Sequence, residues 1–417
     1  MTFESKRRSF GAPSSTRPPL RGPKGDKGNP GAAGPAGEDG VLSRGVYNVE
    51  DYGAVPIFIG DDMDQVNVPL RSGNVAAFNA AFAAAIADLN GATVYIPPGI
   101  YLTNDWVGFD LAEDKNVNLI VRGLSAFTFI RSNNQNEATL RMHTSSGNAR
   151  GILVEDLVLE GGREGLSLRQ VAYSRFNRIW FWGAKNDSLH VELGIRNVYH
   201  ECRFDESAQG IRTGVEADAA VFISSEDTVS HCNFGEYSGG IIINGGNMLF
   251  DNNVGADCFT RRAIWYDYIN DVLVDQAANL LPIKAAIILW QGSANINGFT
   301  GKATIRFVSA FRAYELLING CRVQTDQDIS GFIGFVNIVA GGATQCALHI
   351  SASDFVWLGG RSGYFVADDS AAINHAMISA QLTVYSGSTV TALSSSAPAL
   401  LNPGGQDNLV VTRTFAR

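Results

Sequence analysis

Residues 154–206 read VEDLVLEGGREGLSLRQVAYSRFNRIWFWGAKNDSLHVELGIRNVYHECRFDE, and one apolar triplet recurs inside them. Val154/Leu157/Leu159 returns as Phe176/Ile179/Phe181 and again as Tyr199/Cys202/Phe204. The template is apolar, two variable residues, small or apolar, one variable residue, apolar. Working outward, it also fits Val229/Cys232/Phe234, Leu249/Asn252/Val254, Ile318/Cys321/Val323 and Ile350/Ser353/Phe355, with first-position steps of 22, 23, 30, 20, 69 and 32. A fixed period of this size marks a chain that buries its apolar face by stacking one unit on the next. The step of 69 is three times 23, which predicts two degenerate coils near Val272 and Ile296. Steps of 30 and 32 predict longer outer loops. About ten coils then run from Val117 to Phe355, and at ~4.8 Å per strand the rod is on the order of 50 Å long.

Upstream, Val46–Val55 alternates as a strand, followed by a loop holding Asp61, Asp62 and Asp64. Val75, Phe78, Phe82, Ile86 and Leu89 then recur at helical spacing, with Asn74 as the expected N-cap and Gly91 as the stop. ATVYIPPGIY (92–101) reads as a strand, a Pro-Pro-Gly turn and a second strand. The series YGA (52–54), the Ala-rich helix and TVYIPPGIYLT (93–103) resembles the entry segment of pectate-lyase-like parallel β-helices, a family that includes many bacteriophage tailspikes. Residues 60–74 depart from that family's pattern. The resemblance implies an all-β chain wound as a right-handed, single-stranded parallel β-helix, with residues 41–116 as its entry and capping helix and 117–358 as its coils.

Glycine occupies every third position from Gly22 to Gly40, with Pro23, Pro30 and Pro35 between. Only Gly fits the axis of a collagen triple helix, so residues 22–40 are expected to form a collagen-like neck and the chain a homotrimer. Residues 1–21, rich in Pro, Gly and Ser, carry no core of their own and are expected to order on a partner. The template stops after Phe355. The Ser/Thr/Ala-rich stretch 359–417, with strand-like runs at Gln381–Tyr385 and Leu409–Thr414, is expected to be a trimerising C-terminal β cap.

Composition removes several functions. In 417 residues, 45% are hydrophobic and 18% charged, enough apolar material for a core and too little charge for disorder. The net charge of -9 has the wrong sign for nucleic acid. Five cysteines without a C-x-x-C pair suggest packed, reduced thiols rather than a disulfide framework or a zinc site. The polar start lacks the apolar run of roughly 7–15 residues of a secretory signal. The apolar stretches near Ile283–Trp290 and Gly331–Ala343 fall short of the ~18 residues a membrane helix needs, so no membrane insertion is expected.

No nucleotide loop, nucleophile elbow or Cys/His pair is present, so catalysis would rest on carboxylates. Side chains alternate along a strand. The outward pairs of successive coils are therefore Val158 and Glu160, Trp180 and Trp182, Arg203 and Asp205, Asn233 and Gly235, then Asn253 and Gly255. Aromatic faces stack on sugar rings and amides bond hydroxyls, so Trp180, Trp182, Arg203, Asn233 and Asn253 are candidate substrate-binding residues. Asp205, Glu206 and Glu236 are candidate catalytic residues, because glycoside hydrolysis needs one carboxyl to protonate the leaving oxygen and one to attack or activate water. A second column, Asp156, Arg178, Glu201, His231 and Asp251, alternates in charge, as cross-coil ion pairing does. His143, His190, His349 and His375 show no clustering in sequence. No metal site and no cofactor is expected.

The order of tail, neck, β-helix and cap resembles a phage tailspike or short tail fibre. That resemblance implies a homotrimer held to phage tail or adaptor proteins through residues 1–21. It also implies assembly in the host cytoplasm and binding, often with cleavage, of host cell-surface polysaccharide. Two rivals stand beside it: a non-catalytic adhesin of the same architecture, and a secreted, monomeric, Ca²⁺-using polysaccharide lyase.

Overall fold

The computed structural model describes residues 45–58, 68–88, 90–207, 209–214, 224–235, 241–255, 262–267, 272–277, 287–303, 306–325, 334–338, 346–357, 362–368, 373–385, 389–393 and 408–416. The expected tail (1–21), the collagen-like neck (22–40), Asp61, Asp62, Asp64, Leu89, Cys258 and Glu236 lie outside them.

Among the described residues the chain is all-β apart from one α-helix and short 3₁₀ turns, and its strands form a large parallel sheet. Parallel neighbours cannot be joined by a tight turn, so each strand pairs with its counterpart one coil away. One column of in-register residues passes through Tyr47, Val94, Val121, Val154, Phe176, Tyr199, Val229, Phe250, Ile296, Ile318, Ile350, Ile378 and Leu409. This is the stacking of a parallel β-helix. Inside it, identical side chains lie on one another: Phe204 stacks on Phe181 at 5.0 Å and on Phe234 at 4.8 Å. Cys202, Cys232, Cys321 and Cys346 are buried free thiols, as expected.

Eight coils turn at one shared position through a residue with left-handed backbone: Asp156, Arg178, Glu201, His231, Asn252, Gly298, Gly320 and Ala352. A non-glycine residue pays roughly 1–2 kcal/mol for that conformation, offset here by the ladder on either side. The expected column ended at Asp251, but the corner residue is Asn252. The same one-residue slip affects the neighbouring triplet: Phe250, Asn253 and Gly255 take the inward places assigned to Leu249, Asn252 and Val254. The reason is local. Gly255 offers no side chain to mark its inward position, while Val254 is 48% exposed.

Two further expectations change. Ile296 is a coil position, but Val272 opens the second strand of an antiparallel hairpin, Arg262–Asp267 with Val272–Ala277, so the long step holds one coil and an excursion. The pattern also continues beyond Phe355. Ile373–Tyr385 pairs in parallel with Cys346–Trp357, and Asn408–Ala416 with Ile373–Tyr385. The template misses these coils because small residues such as Ala380 fill inward places.

At the N-terminal end Gly45–Asn48 is a strand, and Val49–Tyr52 is a 3₁₀ turn rather than its continuation. The helix spans Val68–Ala87 and buries Phe78, Phe82 and Ile86 against the first coils, Phe78 meeting Tyr101 edge-on at 5.4 Å. Asn74 is inside this helix and is no N-cap. It is buried, accepts the Val55 N–H at 2.8 Å and donates to the carbonyls of Val55 and Leu102. Among the described residues no helix is long and apolar enough to cross a membrane.

Candidate functional site

The strand Arg175–Trp182 points Ile179 and Phe181 inward, which leaves Trp180 and Trp182 outward. Their rings stack at 5.6 Å and 9°, and the Arg203 guanidinium lies over Trp180 at 4.8 Å. Trp182 ends the stack. Each indole is also pinned through its N–H: Trp180 donates to Asp205 Oδ2 and Trp182 to Glu206 Oε2, both at 2.7 Å. Five of the candidate residues thus form one cluster across two coils.

Asp205 is 6% exposed and also accepts a hydrogen bond from Arg203 Nε. Burial pushes its carboxyl above the ordinary range, while Arg203 and Trp180 pull the other way. Glu206 is half-buried and sits at φ +50°, where the chain leaves the strand. The room for Asp205 comes from Gly235, since a Cβ there would fall 1.7 Å from Asp205 Oδ1. Gly235→Ala is therefore expected to swing the carboxylate away and free Trp180, shifting tryptophan emission to the red and costing about 1–3 kcal/mol in a denaturant titration.

Asn233 is exposed and in register with Arg203. Asn253 is a correction: it is 1% exposed, faces inward, accepts the Cys232 N–H at 2.9 Å and donates to Val229 O at 3.0 Å. Val158 and Glu160, expected outward, are buried too, and Glu160 pairs with Arg131 at 2.6 Å. In the corner column, Arg178 holds Asp156 at 2.7 Å, the cross-coil pairing expected there. Glu201 lies nearest His200, at 3.6 Å.

The outward column of Trp180 continues through Arg203, Asn233, Val254, Thr300 and Arg322. Five steps of ~4.8 Å carry it about 24 Å along the rod. Its far end is a cavity of about 350 Å³, lined by Val254, Thr300, Arg322, Gln324 and Val356 over the backbone of Gly255 and Gly301. That is the lower range of small-ligand pockets. Sequence reasoning stopped short of it because the slip at Phe250 misplaced the outward residues beyond Asn233.

A second polar cluster was also missed. Glu164, Asp187 and His190 are buried together, with one ligand atom of each within 4.8 Å of the others. His143 accepts from Arg141 Nε at 3.0 Å and meets Ser167 Oγ at 2.9 Å, and Ser167 is in register with His190. His143 and His190 therefore do cluster. Burial, aided by Arg141, lowers His143 to about 4. The available signal was the 23-residue spacing from Glu164 to Asp187, one coil, on a strand the template did not follow.

No family model matches the chain, and no curated protein matches it. Solved structures do. The ORF18 protein of Geobacillus virus E2 is 13% identical with a TM-score of 0.41, over 84% of this chain and 58% of that one. An alginate lyase from Paenibacillus sp. str. FPU-7 is 10% identical with a TM-score of 0.47, over 75% and 93%. PfbA, a surface adhesin of Streptococcus pneumoniae, is 12% identical with a TM-score of 0.46, over 89% and 91%. This chain spans less than two thirds of the viral protein it matches.

Proposed function

We propose that this protein is a polysaccharide-binding β-helix that serves as the receptor-binding spike of a bacteriophage tail. In this reading it is a homotrimer of right-handed β-helices joined through the collagen-like repeat, attached to the virion by residues 1–21, with host cell-surface polysaccharide bound along its coils. The observation that carries the binding role is the pinned Trp180–Trp182 stack on the same outward column as the 350 Å³ cavity. A sugar ring presents a C–H face to an aromatic ring. Arg322, Gln324 and Asn233 offer donors for hydroxyls and acidic groups.

Trp182 ends the stack, so Trp182→Ala is expected to weaken retention on host envelope polysaccharide in affinity electrophoresis by about tenfold, roughly 1.4 kcal/mol. Thermal stability should change little. Unaltered retention in Trp182→Ala and in Arg322→Ala alike would remove this face from the binding surface.

Cleavage is the second reading, favoured by Asp205, whose buried carboxyl holds its proton more tightly than usual, as a general acid must. Glu206 and Glu236 would then supply the second carboxyl. Release of new reducing ends by the wild type, lost in Glu206→Gln or Glu236→Gln with retention kept, supports it. Retention without release leaves the adhesin.

A further inference from the structure

We infer that Glu164, Asp187 and His190 form a binding site for one divalent transition-metal ion, of which Zn²⁺ is the probe, joining two successive coils. The site is independent of the polysaccharide reading. Glu164 lies on the strand Glu164–Arg169, while Asp187 and His190 lie on Asp187–Glu192; the two strands pair in parallel with Glu164 opposite Asp187. The three residues are 3%, 0% and 7% exposed. Among the described residues, neither ring nitrogen of His190 makes a hydrogen bond, nor does Asp187 Oδ1, while Asp187 Oδ2 is ion-paired with Arg212. A buried polar group left in that state costs roughly 1–3 kcal/mol, and His190 Nδ1, turned towards both carboxylates, has an ion as a fitting occupant.

The spacing indicates what kind. His190 Nδ1 is 3.4 Å from Asp187 Oδ2 and 3.8 Å from Glu164 Oε1. These separations exceed the ~2.7–3.2 Å of a direct N–H···O bond. Ligand atoms held at ~2.0–2.2 Å around a tetrahedral ion, however, stand about 3.4 Å apart. The other nitrogen, Nε2, faces Glu192 Oε1 at 3.5 Å, so a metal on Nδ1 would leave the ring proton on Nε2, turned towards that carboxylate.

Two guanidiniums act against a dication here. Arg163 Nε lies 2.5 Å from Glu164 Oε1 and Arg212 Nη2 2.5 Å from Asp187 Oδ2. They also orient those carboxylates, as outer-sphere partners do, and Glu192 adds a third negative group. An imidazole with two carboxylates suits Zn²⁺ or its neighbours, whereas Ca²⁺ and Mg²⁺ want more oxygen ligands.

The test is calorimetric titration of full-length, tag-free protein, stripped of metal, with Zn²⁺ alone and with Ca²⁺ alone. One Zn²⁺ per chain is expected, with Ca²⁺ giving no heat. His190→Ala should abolish the Zn²⁺ signal, and Glu192→Gln should weaken it about tenfold. Should His190→Ala misfold by circular dichroism, Glu164→Gln takes its place. A wild type that binds no Zn²⁺ overturns the site. Equal uptake by wild type and variants does so too, placing the ion elsewhere, for instance at His200 and His231.

Discussion

Phe204→Ala lowers unfolding stability by about 3–5 kcal/mol. Phe204 is fully buried and is the middle ring of three, with Phe181 at 5.0 Å and 5° on one side and Phe234 at 4.8 Å and 9° on the other. In a solenoid each coil contacts only its neighbours, so one truncation weakens two interfaces at once. Denaturant titration followed by far-UV circular dichroism measures the loss. Val254→Ala, at a 48% exposed position of a nearby coil, is the control and should stay within about 0.5 kcal/mol of wild type. A Phe204→Ala loss below about 1 kcal/mol would mean that the three rings are not stacked.

Asp227→Asn has the opposite sign, and its effect depends on pH. Asp227 is fully buried; its Oδ1 accepts the Asn197 N–H at 2.7 Å, and its Oδ2 has no hydrogen-bond partner among the described residues. Burial raises the carboxyl from 3.8 to about 7, against the pull of the Asn197 N–H. The folded chain thus holds this proton more tightly than the unfolded chain. The contribution to stability is complete below pH 3.8 and is lost as pH rises through about 7. An amide keeps the acceptor for Asn197 and cannot ionise. At pH 8 the variant should therefore exceed wild type by up to about 4 kcal/mol, with near equality at pH 3.5. Melting temperatures at the two pH values decide it, and a variant that is less stable at pH 8 would show that the Asp227 carboxylate is stabilising.

The coils were legible because burial repeats: Val154, Phe176, Tyr199 and Val229 face one interior at one period, and apolar side chains mark it. Legibility failed where no large side chain marks the inward place. Gly255 hid the register of its coil, and Ala380 hid a coil that the sequence reads as a cap. At Val272 apolar residues belong to a hairpin, and a step of three periods disguised it. The cluster of Trp180, Trp182, Arg203, Asp205 and Glu206 was legible because alternation decides which residues face outward. That the two carboxylates grip the indoles was not, since side-chain reach between coils has no sequence signature. Asn253 shows the same limit from the other side, as an amide is polar in sequence whether it meets solvent or, as here, two backbone groups.

The antiparallel strands Arg262–Asp267 and Val272–Ala277 lie in sequence between Phe250 and Ile296, yet those two residues pair in register like the other rungs. The ladder counts turns, not residues. Chain added between rungs costs loop closure only, about 0.6 kcal/mol for each doubling in length, and leaves the stacked interior as it was. This junction is accordingly a port at which chain can be lengthened, exchanged or deleted between two rungs while the register of the coils on either side is kept.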